Sequence, residues 1–302
     1  MSGGCLRRRS ALIACAAVAA ALSVAPAHAG FFKSSKPAQS SARITAVLPE
    51  FDRAMQEQRL VDAGRMLDEA LIAAPEDPQL MLRSGELHLA RGRYEEAVRS
   101  FTAAEAVPAL QAQARQGRGV ALAQLGRSDE ASAALRQAVA ADPSLWRAWN
   151  ALGVECDRRR DWTGAEAAYG KAIEQPKVDP IVYNNRGYSR LLQGRYADAS
   201  NDFVAALDKD PNLKAARANL RLSLALQGDY SRATATSDKD QKAGALNNAG
   251  FAAIMRGDLD AAERLFQQAI ETRGSTYGRA YQNLELVRAL KSNGSPPAPV
   301  KP

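Results

Sequence analysis

The chain has few of the residues that most catalytic and metal sites use. Its 302 residues include only 2 histidines and 3 cysteines. His88 is the one histidine outside an N-terminal segment that we predict to be a secretory leader, so His-rich metal sites and histidine-dependent triads have almost no material. The motifs H-E-x-x-H, G-x-S-x-G and G-x-x-x-x-G-K-[ST] are also missing. The sequence therefore predicts a protein that is not an enzyme and that carries no cofactor and no metal.

Cysteines are also too few for a disulfide scaffold. Cys5 and Cys15 fall in the predicted leader, and Cys156 is the one thiol of the remaining chain. Its place inside a helical pattern predicts a small buried hydrophobic residue rather than a reactive nucleophile.

Aromatic residues are scarce as well, at 6%, although hydrophobic residues make up 46% of the chain. Small apolar side chains suit close helix packing better than a sheet core. The formal net charge is +7, but three of the basic residues, Arg7, Arg8 and Arg9, lie in the leader. The remaining charges alternate in sign along the predicted helices, which is typical of a solvated face. No nucleic-acid partner is predicted.

Residues 1–29 read as a signal peptide. Three arginines precede an apolar run over residues 11–24, and Ala27, His28 and Ala29 form an A-x-A cleavage site. The run is too short for a comfortable membrane span, so we expect export to an oxidising compartment, most plausibly a bacterial periplasm. The alternative is a lipobox ending at Cys15, which would make an outer-membrane lipoprotein; the protein would contact a membrane only in that case. Residues 30–43 are predicted to be a flexible linker.

The most regular stretch of the chain is residues 179–211. Small residues stand where two helices must cross closely, aromatic residues can fill the space between them, a glycine can end the first helix and a proline closes the unit. These positions hold Tyr183, Gly187, Gly194, Tyr196, Ala199, Phe203, Ala206 and Pro211. At this spacing the stretch resembles one tetratricopeptide (TPR) unit, a 34-residue helical hairpin that must stack on further copies.

The same pattern recurs along the chain. It predicts an all-α TPR solenoid of about seven helix-turn-helix repeats over residues 44–291, near 44–77, 78–111, 112–145, 146–179, 180–213, 214–242 and 243–276. Residues 277–291 are predicted to be a capping helix, and residues 292–302 a disordered tail.

Two repeats depart from the pattern. In the first, Phe51 stands where a small residue is expected. In the sixth, Arg221 replaces the small residue, and residues 234–242 (TATSDKDQK) are short and polar where the second helix should be amphipathic. We expect a shortened or irregular second helix there.

In a TPR stack the first helices line a concave groove. The positions that should face it hold Asn150, Asn184, Asn185, Asn219, Asn247 and Asn248, with Tyr188, Phe251 and Arg147 nearby. Because an amide both donates and accepts, this row is predicted to hold an extended peptide. The alternative is that some of the asparagines bond neighbouring helices. If the row binds a partner, replacing Asn184 and Asn247 with alanine should weaken capture and leave the melting temperature nearly unchanged.

A narrower resemblance covers the last third of the chain. Residues 223–230 (SLALQGDY) and 247–258 (NNAGFAAIMRGD) are similar to the TadD-like TPR proteins of tight-adherence (Flp) pilus assembly. The resemblance implies an exported scaffold that assists pilus or secretin assembly, with a secretin or pilus component as partner. The alternative is a general periplasmic TPR scaffold that recruits envelope-remodelling or cell-division proteins.

Overall fold

The computed structural model describes residues 37–274 and 277–292. Over these residues the chain forms fifteen α-helices and one short 3-10 helix, with no β-strand. The helices are α1 (Pro37–Gln56), α2 (Leu60–Ala73), α3 (Pro78–Ala90), α4 (Tyr94–Ala104), α5 (Gln111–Gln124), α6 (Ser128–Ala141), α7 (Trp146–Arg158), α8 (Trp162–Ile173), α9 (Pro180–Leu192), α10 (Tyr196–Lys209), α11 (Lys214–Gln227), α12 (Tyr230–Ala233), α13 (Lys239–Met255), α14 (Leu259–Arg273) and α15 (Gly278–Ser292). The predicted all-α solenoid of helical hairpins is confirmed. The signal peptide, Cys15, residues 30–36 and residues 293–302 lie outside the described part of the chain.

Each odd-numbered helix turns into the next even-numbered helix through a tight connection. Gly194 ends α9 with a φ of 76°, a left-handed conformation that glycine adopts without steric cost. Four other hairpins use glycine in the same way, at Gly92, Gly126, Gly228 and Gly257. The turn of each of these hairpins is thus set by a residue within the hairpin itself.

Close contact between paired helices depends on missing side chains. A Cβ added to Gly187 in α9 would stand 2.7 Å from the ring of Phe203 in α10, which is too close for any side chain. Phe203 itself is completely buried. The predicted roles of these two residues are therefore confirmed: the ring occupies the space that glycine leaves.

In the first hairpin the large residue lies in the first helix instead of the second. Phe51, in α1, is 1% exposed and shares a buried cluster with Leu67 of α2. The larger side chain thus comes from the first helix and the smaller one from the second, so the unit closes without a glycine.

The predicted linker over residues 30–43 is wrong for residues 37–43, because α1 begins at Pro37. Proline fits the first turn of a helix, where its missing N–H would have no partner. Neither glycine nor a further proline follows before Pro49, so the helix can begin there.

The sixth repeat has the shortened second helix that the sequence predicts. Its helix α12 contains four residues, and residues 234–238 are not helical. The Thr234 hydroxyl donates to the Tyr230 carbonyl at 2.8 Å, and the Lys242 ammonium donates to the Thr234 carbonyl at 2.8 Å. These bonds satisfy the backbone where the helix stops. The predicted boundary at residue 242 is shifted, because α13 already begins at Lys239.

The last described helix closes the stack. Helix α15 buries Ala280, Leu284 and Val287 against the preceding hairpin, so its place agrees with the predicted capping helix within one residue at each end. Among the helices described, none is both long and apolar enough to cross a membrane.

Candidate functional site

The first helices of successive hairpins, which are the odd-numbered helices α1 to α15, lie side by side and form one face of the stack. We call this face the groove. Side-chain bonds between residues one repeat apart join its helices directly, from α7 to α9 and from α9 to α11. The nine predicted site residues all belong to these helices.

Four of the predicted asparagines form a chain of hydrogen bonds that we call the amide ladder. The Asn219 amide donates to Asn184 at 3.0 Å, Asn184 donates to Asn185 at 3.3 Å, and Asn185 donates to Asn150 at 3.0 Å. The amide ladder therefore ties three helices together. This is the structural role that the sequence left open as the alternative to peptide binding.

The ladder is interrupted at the sixth repeat. Beyond it a separate bond of 3.0 Å runs from Asn283 in α15 to Asn247 in α13. Asn184 and Asn247 are 6% and 4% exposed, whereas Asn248 is exposed. The two buried amides thus serve mainly the stack, and Asn248 presents its amide to solvent.

Large apolar side chains are exposed next to the asparagines. Tyr188 is 46% exposed and Phe251 is 52% exposed, and each directly follows the glycine position of its repeat. The equivalent residues of the intervening and following helices are Leu222 and Leu286, the latter 46% exposed. We call Tyr188, Leu222, Phe251 and Leu286 the apolar row. It runs over four consecutive odd-numbered helices.

The N-terminal end of the groove is charged at the same positions. There Asp52 and Glu86 replace the apolar residues, and Arg83 bridges them with contacts of 3.2 and 2.9 Å. Burial raises the pKa of the Glu86 carboxyl above its ordinary value, and the Arg83 guanidinium acts against that shift. The two ends of the groove therefore differ in chemistry.

A first cavity, of about 500 Å³, opens at this charged end. The Arg147 guanidinium lies 4.4 Å from the centre of the Trp146 ring at its wall. The buried side-chain oxygen of Gln116 has no hydrogen-bond partner among the described residues. Arg147 thus lies in α7 at the wall of this cavity, with its guanidinium beside an aromatic ring.

A second cavity, of about 760 Å³, lies between α11, α13 and α15. It brings together four of the predicted residues, namely Asn219, Asn247, Asn248 and Phe251. It also contains residues that the sequence did not single out for binding: Arg221, Leu222, Arg279 and Asn283. The repeat spacing from Asn248 could have revealed Asn283, whereas Arg279 gave no comparable signal.

Two further residues of α7 have structural surroundings. Arg158 donates to Glu155 at 2.6 Å and to the Ala123 carbonyl at 3.0 Å. Cys156 is half-buried, and burial raises the pKa of its thiol. The thiol therefore stays protonated at neutral pH, as suits a packing residue.

Stacked helical hairpins with a groove along their first helices define a repeat scaffold for protein–protein interaction. The chain belongs to the tetratricopeptide repeat family. Family models described as tetratricopeptide repeat match residues 54–107, 117–180 and 184–236, which together are more than half of the chain. A comparison with curated proteins gives no significant match.

Solved structures of TPR proteins have the same fold. A tetratricopeptide repeat protein from Parabacteroides merdae is 16% identical, with a TM-score of 0.51, over 82% of this chain and 99% of that one. The C-terminal part of a TPR repeat-containing protein from Cytophaga hutchinsonii is 16% identical, with a TM-score of 0.56, over 78% and 98%. The pilF protein of Pseudomonas aeruginosa is 19% identical, with a TM-score of 0.53, over 70% and 96%. At these identities the likeness establishes the fold alone.

Proposed function

We propose that this protein is a non-catalytic adaptor that binds an extended segment of a partner protein along its groove. The observation that carries the proposal is the apolar row. Four consecutive odd-numbered helices place a large apolar side chain at the same position; three of these side chains are 46% exposed or more, and Leu222 is half-buried. A contiguous exposed apolar patch is typical of an interaction site.

The spacing of the row suits an extended chain. Packed helices lie about 8–10 Å apart, and an extended polyproline II segment advances about 3.1 Å per residue with three residues per turn. A partner in this conformation with an apolar residue at about every third position would therefore meet one member of the row after another. The exposed amide of Asn248 could bond its backbone between these contacts.

The finer part of the proposal concerns the cellular location of the protein and the assembly process that it serves. We propose export through the signal peptide at residues 1–29, a periplasmic location, and a role in assembling a tight-adherence pilus or its secretin. Support comes from the leader sequence and from the TadD-like segments at residues 223–230 and 247–258. An outer-membrane lipoprotein anchored at Cys15 is the second form that the leader supports.

A crosslinking pull-down from the native cell envelope tests the adaptor. We expect a double Tyr188→Ser, Leu286→Ser variant to recover about tenfold less partner than wild type, because both side chains lose apolar contact area. The matched control is Val61→Ser, Ile72→Ser, since these residues of α2 are 82% and 84% exposed and lie outside the groove. Equal recovery by the groove variant and wild type would contradict the adaptor.

Mass spectrometry of the recovered protein tests the finer part. A secretin or pilus subunit would support a role in pilus assembly. Recovery of envelope-remodelling or cell-division proteins instead would replace that role with the general scaffold and leave the adaptor intact. Sequencing the mature N-terminus separates Gly30 from an acylated Cys15.

A further inference from the structure

Five repeats share one packing device. A small residue of the first helix leaves a space, and a large residue of the second helix fills it. We call this space the socket of the repeat. The pairs are Gly85 with Phe101, Gly119 with Leu135, Gly153 with Tyr169, Gly187 with Phe203 and Gly250 with Phe266. All five large side chains are fully or almost fully buried.

The sixth repeat has a socket but lacks the side chain that would fill it. Its second helix ends at Ala233. Ser237, one repeat length after Phe203, lies outside any helix. Arg221 stands in the position of Gly187. Tyr230, the aromatic residue of α12, stands at the start of that helix and does not line the second cavity.

The second cavity occupies that space. Small residues line it: Ala225 of α11, Ala233 of α12, and Ala245 and Ala249 of α13. Ala233 stands four residues before the missing large residue, as Ala199 stands four residues before Phe203. The cavity is thus the open socket of the sixth repeat.

The mouth of this socket lies in the groove and is basic. Arg221 and Arg279 both line it, and neither has a hydrogen bond or ion pair with any residue of the described chain. The cavity has no acidic residue among its described lining. Unpaired guanidinium groups beside an apolar surface favour a carboxylate as their partner.

We propose that the sixth socket binds an aromatic side chain of the partner protein, with acidic residues beside it facing Arg221 and Arg279. The partner would supply the large side chain that the five complete repeats carry themselves, which is an aromatic ring in four of them. The second cavity, of about 760 Å³, also has room for the backbone next to that side chain, because cavities of about 300–1,000 Å³ hold molecules larger than one ring. Asn219, Asn247 and Asn248 stand at the mouth, where they can bond that backbone. The inference rests on the proposed adaptor function and names the chemistry of its partner.

Four labelled peptides with blocked ends test the ligand chemistry by fluorescence polarisation on the full chain. The probe is Gly-Ser-Asp-Phe-Asp-Ser-Gly, and the comparison peptides replace its Phe with Ala, both Asp with Asn, or both Asp with Lys. We expect each replacement to weaken binding about tenfold or more, because it removes ring burial or charge pairing. Equal affinity of the Phe and Ala peptides, or no saturable binding of the probe in the millimolar range, would overturn the proposal.

Variants of the protein locate the site. Ala245→Phe should fill the socket from α13 and lower probe affinity about tenfold. Arg221→Gln, Arg279→Gln should have a similar effect without changing the cavity walls, so it keeps the test valid if Ala245→Phe does not fold. Arg217→Gln is the control, since Arg217 is exposed on the same helix and does not line the cavity. Unchanged affinity in the double arginine variant would rule out the socket.

The same variants separate this inference from the adaptor proposal. Tyr188 and Leu286 do not line the second cavity. If their double variant loses the native partner while the arginine variant retains it, the adaptor stands and the socket fails. If the Tyr188→Ser, Leu286→Ser variant and the Arg221→Gln, Arg279→Gln variant both recover as much native partner as wild type, the adaptor proposal itself fails.

Discussion

The side chain of Asn219 in α11 donates a hydrogen bond of 3.0 Å to the side chain of Asn184 in α9, one repeat earlier. Asn184 in turn donates to Asn185 at 3.3 Å. A residue predicted to face a ligand thus holds two repeats together. A change at Asn184 should therefore affect the stacking of the repeats, whatever its effect on a partner.

Asn184→Ala should therefore destabilise the protein. The change removes the acceptor of Asn219 and the donor to Asn185, which should lower the free energy of unfolding by about 1–2 kcal/mol. Urea denaturation followed by circular dichroism measures it. Asn248→Ala is the control and should change stability by less than about 0.5 kcal/mol, because Asn248 is exposed.

This expectation replaces the one drawn from sequence, in which Asn184→Ala and Asn247→Ala leave the melting temperature nearly unchanged. Both side chains are buried and bonded to a neighbouring helix. If the urea midpoint of Asn184→Ala equals that of the wild-type protein, the amide ladder contributes nothing to stability.

Gly187→Ala should destabilise the protein by about 1–3 kcal/mol, because its Cβ would stand 2.7 Å from Phe203 and the packed hairpin must shift. Gly170→Ala provides a matched control of opposite sign. Gly170 lies inside α8, where an added Cβ meets nothing within 4 Å, so alanine should stabilise by about 0.5–1 kcal/mol through its helix propensity. A melting temperature below that of wild type for Gly187→Ala and above it for Gly170→Ala would confirm the packing. Melting temperatures that both lie above or both lie below that of wild type would contradict it.

Glu166 should make stability depend on pH. Its carboxylate accepts from Arg190, which also pairs with Asp202 of α10 at 2.9 Å. This hydrogen bond lowers the pKa of Glu166 below its usual value of 4.5. A lowered folded pKa stabilises the fold above the unfolded pKa, and the stabilisation is lost as the pH falls through the folded value.

The Glu166→Gln variant isolates that contribution. Its melting temperature should lie below that of wild type at neutral pH, and the gap should narrow between about pH 5 and about pH 3 as Glu166 protonates in the wild type. Glu69→Gln is the control, since Glu69 pairs with Arg65 on an exposed face. A gap that is constant across this range would show that Glu166 stays ionised or that its ion pair does not affect folding.

The hairpin packing could be predicted from sequence because it is local. Gly187 and Phe203 belong to one hairpin, and their spacing fixes their contact. The shortened helix α12 was predictable for the same reason, since residues 234–242 cannot supply an apolar face. The start of the first repeat was harder to predict, because the serine-rich segment around Pro37 is typical of a linker, whereas α1 begins at that proline.

The binding surface could be predicted only in part. The asparagines, Tyr188 and Phe251 follow the repeat spacing, so their place in the groove was visible. Their pairing was not, because the amide ladder depends on how one repeat rotates on the next. Arg221 departs from the pattern in the sequence, but the proposed role of Arg221 at the open socket depends on α12 ending before the position equivalent to Phe203. A contact between two helices depends on their relative placement, which the sequence of either helix alone does not give.

The end of α12 should be the least protected part of the sixth repeat. Four helical residues are too few for a stable isolated helix, and the Lys242 ammonium supplies the bond to the Thr234 carbonyl at 2.8 Å. Hydrogen exchange followed by mass spectrometry should show α12 exchanging faster than α10, the complete second helix of the preceding repeat.

Lys242→Met should accelerate exchange in α12 about fivefold, which corresponds to the loss of about 1 kcal/mol, and leave α10 unchanged. Lys214→Met, at the exposed start of α11, removes the same charge without touching that carbonyl and should have no effect. Equal protection of α12 in wild type and Lys242→Met would mean that buried Ala233, rather than the lysine cap, holds the short helix in place.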